Sequence, residues 1–225
     1  MLMKKDRLIK LGILAAVTIV VSLLVCFVDK APIGPKATVV GMSHINGFFR
    51  DIFKFSKFWY VITNLLGYLA ILICLCFAGI GALQLWAGKG LKKVDRNIIA
   101  LGCFYLVVIL LYVIFEKAEI NYRPIIMPGE TEPEASFPSS HTMLALTVFC
   151  SAPWVGGRYL KDAGIRKIFT IVMYVLAAVM VVGRLLSGVH WFTDIIASIL
   201  ISATLLYAFR IVLDFIKPKK KTVRK

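Results

Sequence analysis

The stretch Trp59–Trp86, WYVITNLLGYLAILICLCFAGIGALQLW, holds no charged side chain and is bracketed by two tryptophans. The hydrocarbon layer of a bilayer takes roughly 20 apolar residues of helix, and tryptophan gathers where that layer meets water. The stretch therefore reads as a membrane span with both ends marked. Outward from it, further apolar runs occupy 8–28, 98–115, 140–155, 168–186 and 191–213. The run at 140–155 is the shortest and contains Pro153, but the charged segment Arg158–Lys167 parts it from the next, so it too counts as a span. The run at 8–28 follows Lys4, Lys5 and Arg7 as the core of a secretory leader would. It is longer than such a core, and Asp29-Lys30-Ala31-Pro32 is a poor cleavage site, so it is expected to stay as the first span. The expected fold is all-α: one polytopic membrane domain over residues 1–225 with six transmembrane helices.

Composition leads the same way. Hydrophobic residues make up 60% of the 225, and mean hydropathy is +0.84, more apolar surface than a soluble domain of this length buries. A net charge of +15 would suggest nucleic acid in a soluble chain. Here the basic residues sit beside and between the apolar runs, so the bilayer is the expected partner and nucleic acid is not. The five cysteines (Cys26, Cys74, Cys76, Cys103 and Cys150) all fall within apolar runs and read as small packing residues, with no disulfide framework and no metal-finger spacing.

Charge also orients the chain. Lys and Arg crowd the N-terminus, the 87–97 and 156–167 connections and the tail from Lys217, whereas Glu116, Glu119, Glu130, Glu132 and Glu134 fall on the other side of a six-span arrangement. Both termini are therefore expected to be cytoplasmic. Segment 44–58 differs from the spans: Ile45, Phe48, Phe49, Ile52 and Phe53 recur at helical spacing, with Arg50, Asp51, Lys54 and Lys57 mostly opposite. That pattern predicts a helix lying in the outer interface, either a plain connector or a lid or lipid guide.

Ionisable groups at membrane depth are costly, which makes them functional suspects. Three clusters carry them: Glu116-Lys117 with Arg123-Pro124; Phe137-Pro138-Ser139-Ser140-His141; and Gly183-Arg184 with His190 and Asp194. With six spans, all three gather at the outer ends of spans three to six. If the last helix opens at Val189 or His190, Asp194 shares a face with His190 and accepts a hydrogen bond from one ring nitrogen. The other nitrogen is then a nucleophile or base. Ser139 and Ser140 read as a helix N-cap, and the same helix start is an anion cradle; the two readings coexist. His141 stands at its rim, placed to give a proton to a leaving oxygen. Arg123, Arg184 and Lys117 bring positive charge suited to phosphate oxygens, although Lys117 also fits a snorkelling role at headgroup level. Two histidines and an aspartate could ligate a metal, but three cations about the same point oppose it, so neither metal nor cofactor is expected.

The three clusters resemble the signature of the type 2 phosphatidic acid phosphatase family, which includes bacterial six-span lipid phosphatases. That signature runs Lys, six residues, Arg-Pro; then Pro-Ser-Gly-His; then Ser-Arg, five residues, His, three residues, Asp. Arg123-Pro124 fits it, Pro138-Ser139-Ser140-His141 fits with one change, and Arg184, His190 and Asp194 fit in spacing. The resemblance implies that His190 attacks phosphorus and forms a phosphohistidine, that Asp194 orients it, and that His141 serves as acid and then base. It implies that Arg123, Arg184, Ser139 and the Ser140 amide hold the phosphate.

Three departures stand out. Lys117 lies one residue out of register, so that Glu116 takes the family's lysine position; Ser140 replaces glycine; and Gly183 replaces serine. The function so implied is hydrolysis of a lipid phosphate monoester or diphosphate on the extracytoplasmic side of a plasma membrane. Candidate substrates are undecaprenyl diphosphate, phosphatidylglycerol phosphate and phosphatidic acid. Lipid-to-lipid phosphotransfer would use the same intermediate. A phosphate or lipid transporter is the non-enzymatic rival, although no second polar gate is visible in the inner halves of the spans. The sequence carries no signal for oligomeric state.

Overall fold

A long apolar run satisfies its backbone inside a bilayer only as a helix or in a closed barrel, and every such run here is helical. The computed structural model describes residues 2–216, with side chains from Lys5 onward, so the basic tail, residues 217–225, lies outside the described residues. The helices are α1 (Leu2–Phe27), α2 (Ser43–Ile52), α3 (Lys57–Gly88), α4 (Arg96–Ala118), α5 (Ser140–Gly156), α6 (Ala163–Leu186) and α7 (Phe192–Ile216). Five of them, α1, α3, α4, α6 and α7, are long and apolar enough to cross a membrane. Their outward side chains, such as Ile13, Leu75, Leu110 and Ile168, are exposed, as a lipid-bathed surface requires.

The fourth expected span, α5, has a different character. Its 17 residues make a helix about 26 Å long, shorter than the roughly 30 Å hydrocarbon layer. It is the central helix, packed against α3, α4, α6 and α7, with Ala145, Val148, Phe149, Ala152 and Val155 fully buried. A helix surrounded by protein tolerates polar residues when they are bonded. The Thr147 hydroxyl accordingly donates to the Met143 carbonyl at 2.7 Å, and the Ser151 hydroxyl pairs with that of Tyr105 at 3.0 Å.

Contacts between helix ends fix the direction of each. Arg184 near the end of α6 reaches Thr63 near the start of α3 and His141 at the start of α5. Arg123, just after α4, reaches His190, just before α7. At the opposite end Tyr159, after α5, bonds Gln84 of α3 and Asp95 before α4. The basic connections at 89–96 and 158–167 thus lie at the end away from the three motif clusters.

Segment 44–58 does not form one interfacial helix. The helix stops at Ile52, Phe53 turns to an extended conformation, and α3 starts at Lys57. The turn before α7 dictates this break. The Ser56 amide donates to the Ser187 carbonyl at 3.1 Å, and Gly188, at φ +66°, lies so close that a Cβ there would meet the Lys54 backbone at 2.7 Å. Asp29 caps α2, accepting from the Ser43 hydroxyl and the His44 amide, both at 2.9 Å. The apolar face then divides: Phe49 stacks on Phe192 at 3.9 Å while Ile45, Phe48 and Ile52 stay exposed.

Candidate active site

Arg184 is fully enclosed, with no exposed surface on a guanidinium-bearing side chain. A buried charge needs partners, and α3 supplies them. Arg184 donates to the Thr63 hydroxyl at 3.0 Å and the Asn64 carbonyl oxygen at 3.2 Å, and lies 5.7 Å from the centre of the Tyr60 ring. It also reaches His141 Nδ1 at 3.2 Å. Arginine only donates, so His141 Nδ1 is the accepting nitrogen and the ring proton belongs on Nε2. The Arg184 Nε hydrogen, buried and without a partner among the described residues, remains available to an anion. Two glycines permit this packing. A Cβ at Gly183 would meet Thr63 at 2.9 Å and Trp59 at 3.0 Å, and one at Gly67 would meet the His141 ring at 3.0 Å. The family's serine at position 183 would therefore press α6 away from α3.

His190 lies on the turn before α7, not within the helix, which opens at Phe192. This alters the expected hydrogen bonding. His190 Nδ1 lies 3.1 Å from the Ser136 carbonyl and 3.6 Å from Asp194 Oδ2. Asp194 Oδ2 takes its hydrogen bond from the Trp191 amide at 3.0 Å. A carbonyl only accepts, so Nδ1 carries the hydrogen and Nε2 keeps its lone pair. Arg123 stands 3.5 Å from that Nε2. Burial, and then the charges of Arg123, Arg184 and His141, hold His190 well below the ordinary histidine value. The ring is neutral at physiological pH.

Arg123 belongs to a loop. Its Nε donates to Glu134 at 2.8 Å, its amide bonds the Glu134 carbonyl at 2.9 Å, and Tyr122 pairs with Ala135 as an antiparallel bridge. Ser139 precedes α5 with its amide bonded to the Asp194 carbonyl at 3.2 Å and its hydroxyl 3.0 Å from that of Thr142. The first α5 amides, beginning with that of Ser140, face away from any earlier turn and are open to an anion. Ser140 is absent from the residues with positive φ, so a serine occupies the family's glycine position without strain.

The structure thus brings together Arg123, Ser139, Ser140, His141, Arg184, His190 and Asp194. It does not bring Lys117 to them. Lys117 and Glu116 are both exposed at the end of α4, and neither side chain has a hydrogen bond or ion pair among the described residues. Sequence reasoning missed Tyr60, Thr63 and Asn64, although Thr63-Asn64 is a polar pair inside a long apolar run. Beside the site a cleft of about 340 Å³ runs between α3 and the loop, lined by Phe55, Lys57, Tyr60, Met127, Pro128 and Glu134 among others. No cluster of three or more His, Cys, Asp or Glu side chains forms among the described residues.

An apolar helical bundle that collects two arginines and two histidines at one end is a membrane protein built to meet an anion. The profile of the PAP2 superfamily matches residues 104–217, just over half of the chain, and the chain belongs to that superfamily and is a phosphatase. Its fold is similar to that of the first transmembrane PAP2-type phosphatidylglycerolphosphate phosphatase from Bacillus subtilis, known from a crystal structure. The TM-score is 0.55 at 20% identity, over 79% of this chain and 87% of that one. No curated protein matches the chain.

Proposed function

We propose that the protein dephosphorylates a membrane lipid at the extracytoplasmic face of a plasma membrane through a phosphohistidine. The observation that carries this reading is the unprotonated Nε2 of His190, 3.5 Å from the Arg123 guanidinium, on the same end of the bundle as the Arg184–His141 pair. Nε2 attacks phosphorus and the bond to the leaving oxygen breaks. Arriving phosphate draws Arg184 onto its own oxygens and favours the charged form of His141, which gives its proton to the departing alcohol or phosphate. His141, now neutral, takes a proton from water as the water oxygen attacks the phosphohistidine. Inorganic phosphate leaves and His190 is restored. Arg123, Arg184, Ser139 and the first α5 amides carry the charge that builds on the phosphoryl oxygens. The bilayer presents the substrate, and the cleft between α3 and the 119–139 loop, lined by Tyr60 and Glu134 beside the site, is the approach assigned to its headgroup. The basic connections at the opposite end support an extracytoplasmic site with both termini inside. The likeness to a phosphatidylglycerolphosphate phosphatase supports phosphatidylglycerol phosphate as a substrate, beside undecaprenyl diphosphate and phosphatidic acid.

The test is phosphate release by purified protein in detergent with EDTA from each of the three lipids. We expect release from at least one, lost to background in His190→Ala, with acid-labile phosphate trapped on His190 by rapid quench. Release that survives His190→Ala would overturn the mechanism. Movement of phosphate to a lipid alcohol without release would redirect the reading to phosphotransfer.

A further inference from the structure

Behind the proposed nucleophile lies a set of polar groups that the motifs do not contain. Asp194 uses Oδ2 for the Trp191 amide and leaves Oδ1 buried without a hydrogen bond among the described residues. Among the other buried atoms in that condition, Asn121 Nδ2 and Ser136 Oγ belong to side chains that face the Asp194 carboxylate. One is an obligate donor, one can donate, and Oδ1 only accepts. Buried polar groups seldom stay unpaired, so three complementary ones together form one cluster.

The orientation of Asn121 is settled from outside. Its Oδ1 accepts from the Gly41 amide at 3.2 Å, which directs Nδ2 the other way. Gly41 is itself fixed, because a Cβ there would lie 1.7 Å from the Val25 carbonyl oxygen of α1. Asn46 of α2 donates to the Gly41 carbonyl at 2.8 Å and to the Thr193 hydroxyl at 2.9 Å, and accepts from the Thr193 amide at 3.1 Å. Ser136 is held too: its amide bonds the Asn121 carbonyl at 2.8 Å, and its own carbonyl receives His190 Nδ1. Residues 41–46 lie outside the stretch that matches the superfamily profile.

We infer that Asn121 and Ser136 are positioning residues that donate to Asp194 Oδ1, and that Gly41 and Asn46 anchor them from the N-terminal segment. This rests on the phosphohistidine reading, since it is Asp194 beside His190 that they steady. The charged or titratable groups near the cluster are His190, Arg123, Arg184 and His141.

The deciding variant is Asn121→Asp, which keeps the acceptor for Gly41 but turns an oxygen toward Asp194. With the full chain in detergent and the best lipid, we expect kcat to fall about 10- to 100-fold at pH 8 with KM within about twofold. Activity should recover on acidification, as the two carboxylates come to share a proton. Ser136→Ala should lose about three- to tenfold and Ser136→Thr should restore it. In an Asp194→Asn background neither change should cost more than about twofold, because residues acting as one unit do not add.

Wild-type kcat in Asn121→Asp, or losses that multiply in that background, would overturn the inference. Melting temperature against pH reads the same cluster without turnover. Asn121→Asp should gain stability from pH 8 to pH 5 relative to wild type, and that gain should shrink with Asp194→Asn to the part that burial of a single carboxylate gives. A gain of unchanged size there would refute the inference, even if the wild type released no phosphate and the functional reading failed by itself. If Asn121→Asp does not fold, the Ser136→Ala and Ser136→Thr pair decides.

Discussion

Arg184 and Arg123 present the same guanidinium near the same histidines, yet their settings are opposite. Arg184 is on a helix, fully buried, and gripped by Thr63, Asn64, Tyr60 and His141. Arg123 is on a loop, its side chain 14% exposed, and ion-paired to Glu134, which is 42% exposed. One wall of the site is rigid because three helices close on it. The other is held by a carboxylate that competes with phosphate for the same arginine. The contrast suggests a division of labour, with geometry for the chemistry coming from the helices and discrimination among substrates from the loop.

The largest effect should come from the rigid wall. Arg184→Lys removes the planar fork and three of its partners at once, and kcat/KM should fall by about 10²-fold or more. A variant within threefold of wild type would show that the packing around Arg184 serves stability alone. Burial of His190 between the two walls sets the second expectation. His190 is depressed below the ordinary value of 6.5, so its lone pair persists as pH falls, and the acid limb of kcat/KM should lie below pH 6.5 once substrate ionisation is divided out. A limb at or above that value would place the proton elsewhere.

The loop wall should give smaller and opposite changes. Glu134→Gln releases Arg123 from its ion pair, and KM should drop about two- to fivefold, with kcat little altered. An increase in KM would mean that Glu134 aims the arginine and does not compete for it. Lys117→Ala should change neither constant by more than about twofold, since surface charges of this kind contribute little. A larger loss would show that the lysine enters the site when lipid binds.

Much of this was legible in the sequence, for identifiable reasons. Spans 59–86, 98–115, 168–186 and 191–213 show plainly because lipid contact enforces unbroken apolar runs. The run at 140–155 was weak because α5 touches protein, which permits Thr142, Thr147 and Ser151 on a central helix. Among the motif residues, spacing alone placed Arg184, His190 and Asp194 at one end. It gave the wrong hydrogen bond for His190, because helix periodicity says nothing of a carbonyl 54 residues away at Ser136. The pairs Gly41–Asn121 and Asn46–Thr193, 80 and 147 residues apart, leave no periodic trace at all.

The bridge between Tyr122 and Ala135 has one further consequence. It ties the loop off at its neck, where the Arg123 amide also bonds the Glu134 carbonyl, so the tip bearing Met127, Pro128 and Glu130 borders the cleft while Arg123 is held at the neck itself. Grafting a longer or shorter tip from another member of the superfamily would redraw the mouth and leave the arginine where it stands. Such a hairpin is an interchangeable part, and libraries aimed at new lipid headgroups belong between residues 125 and 133.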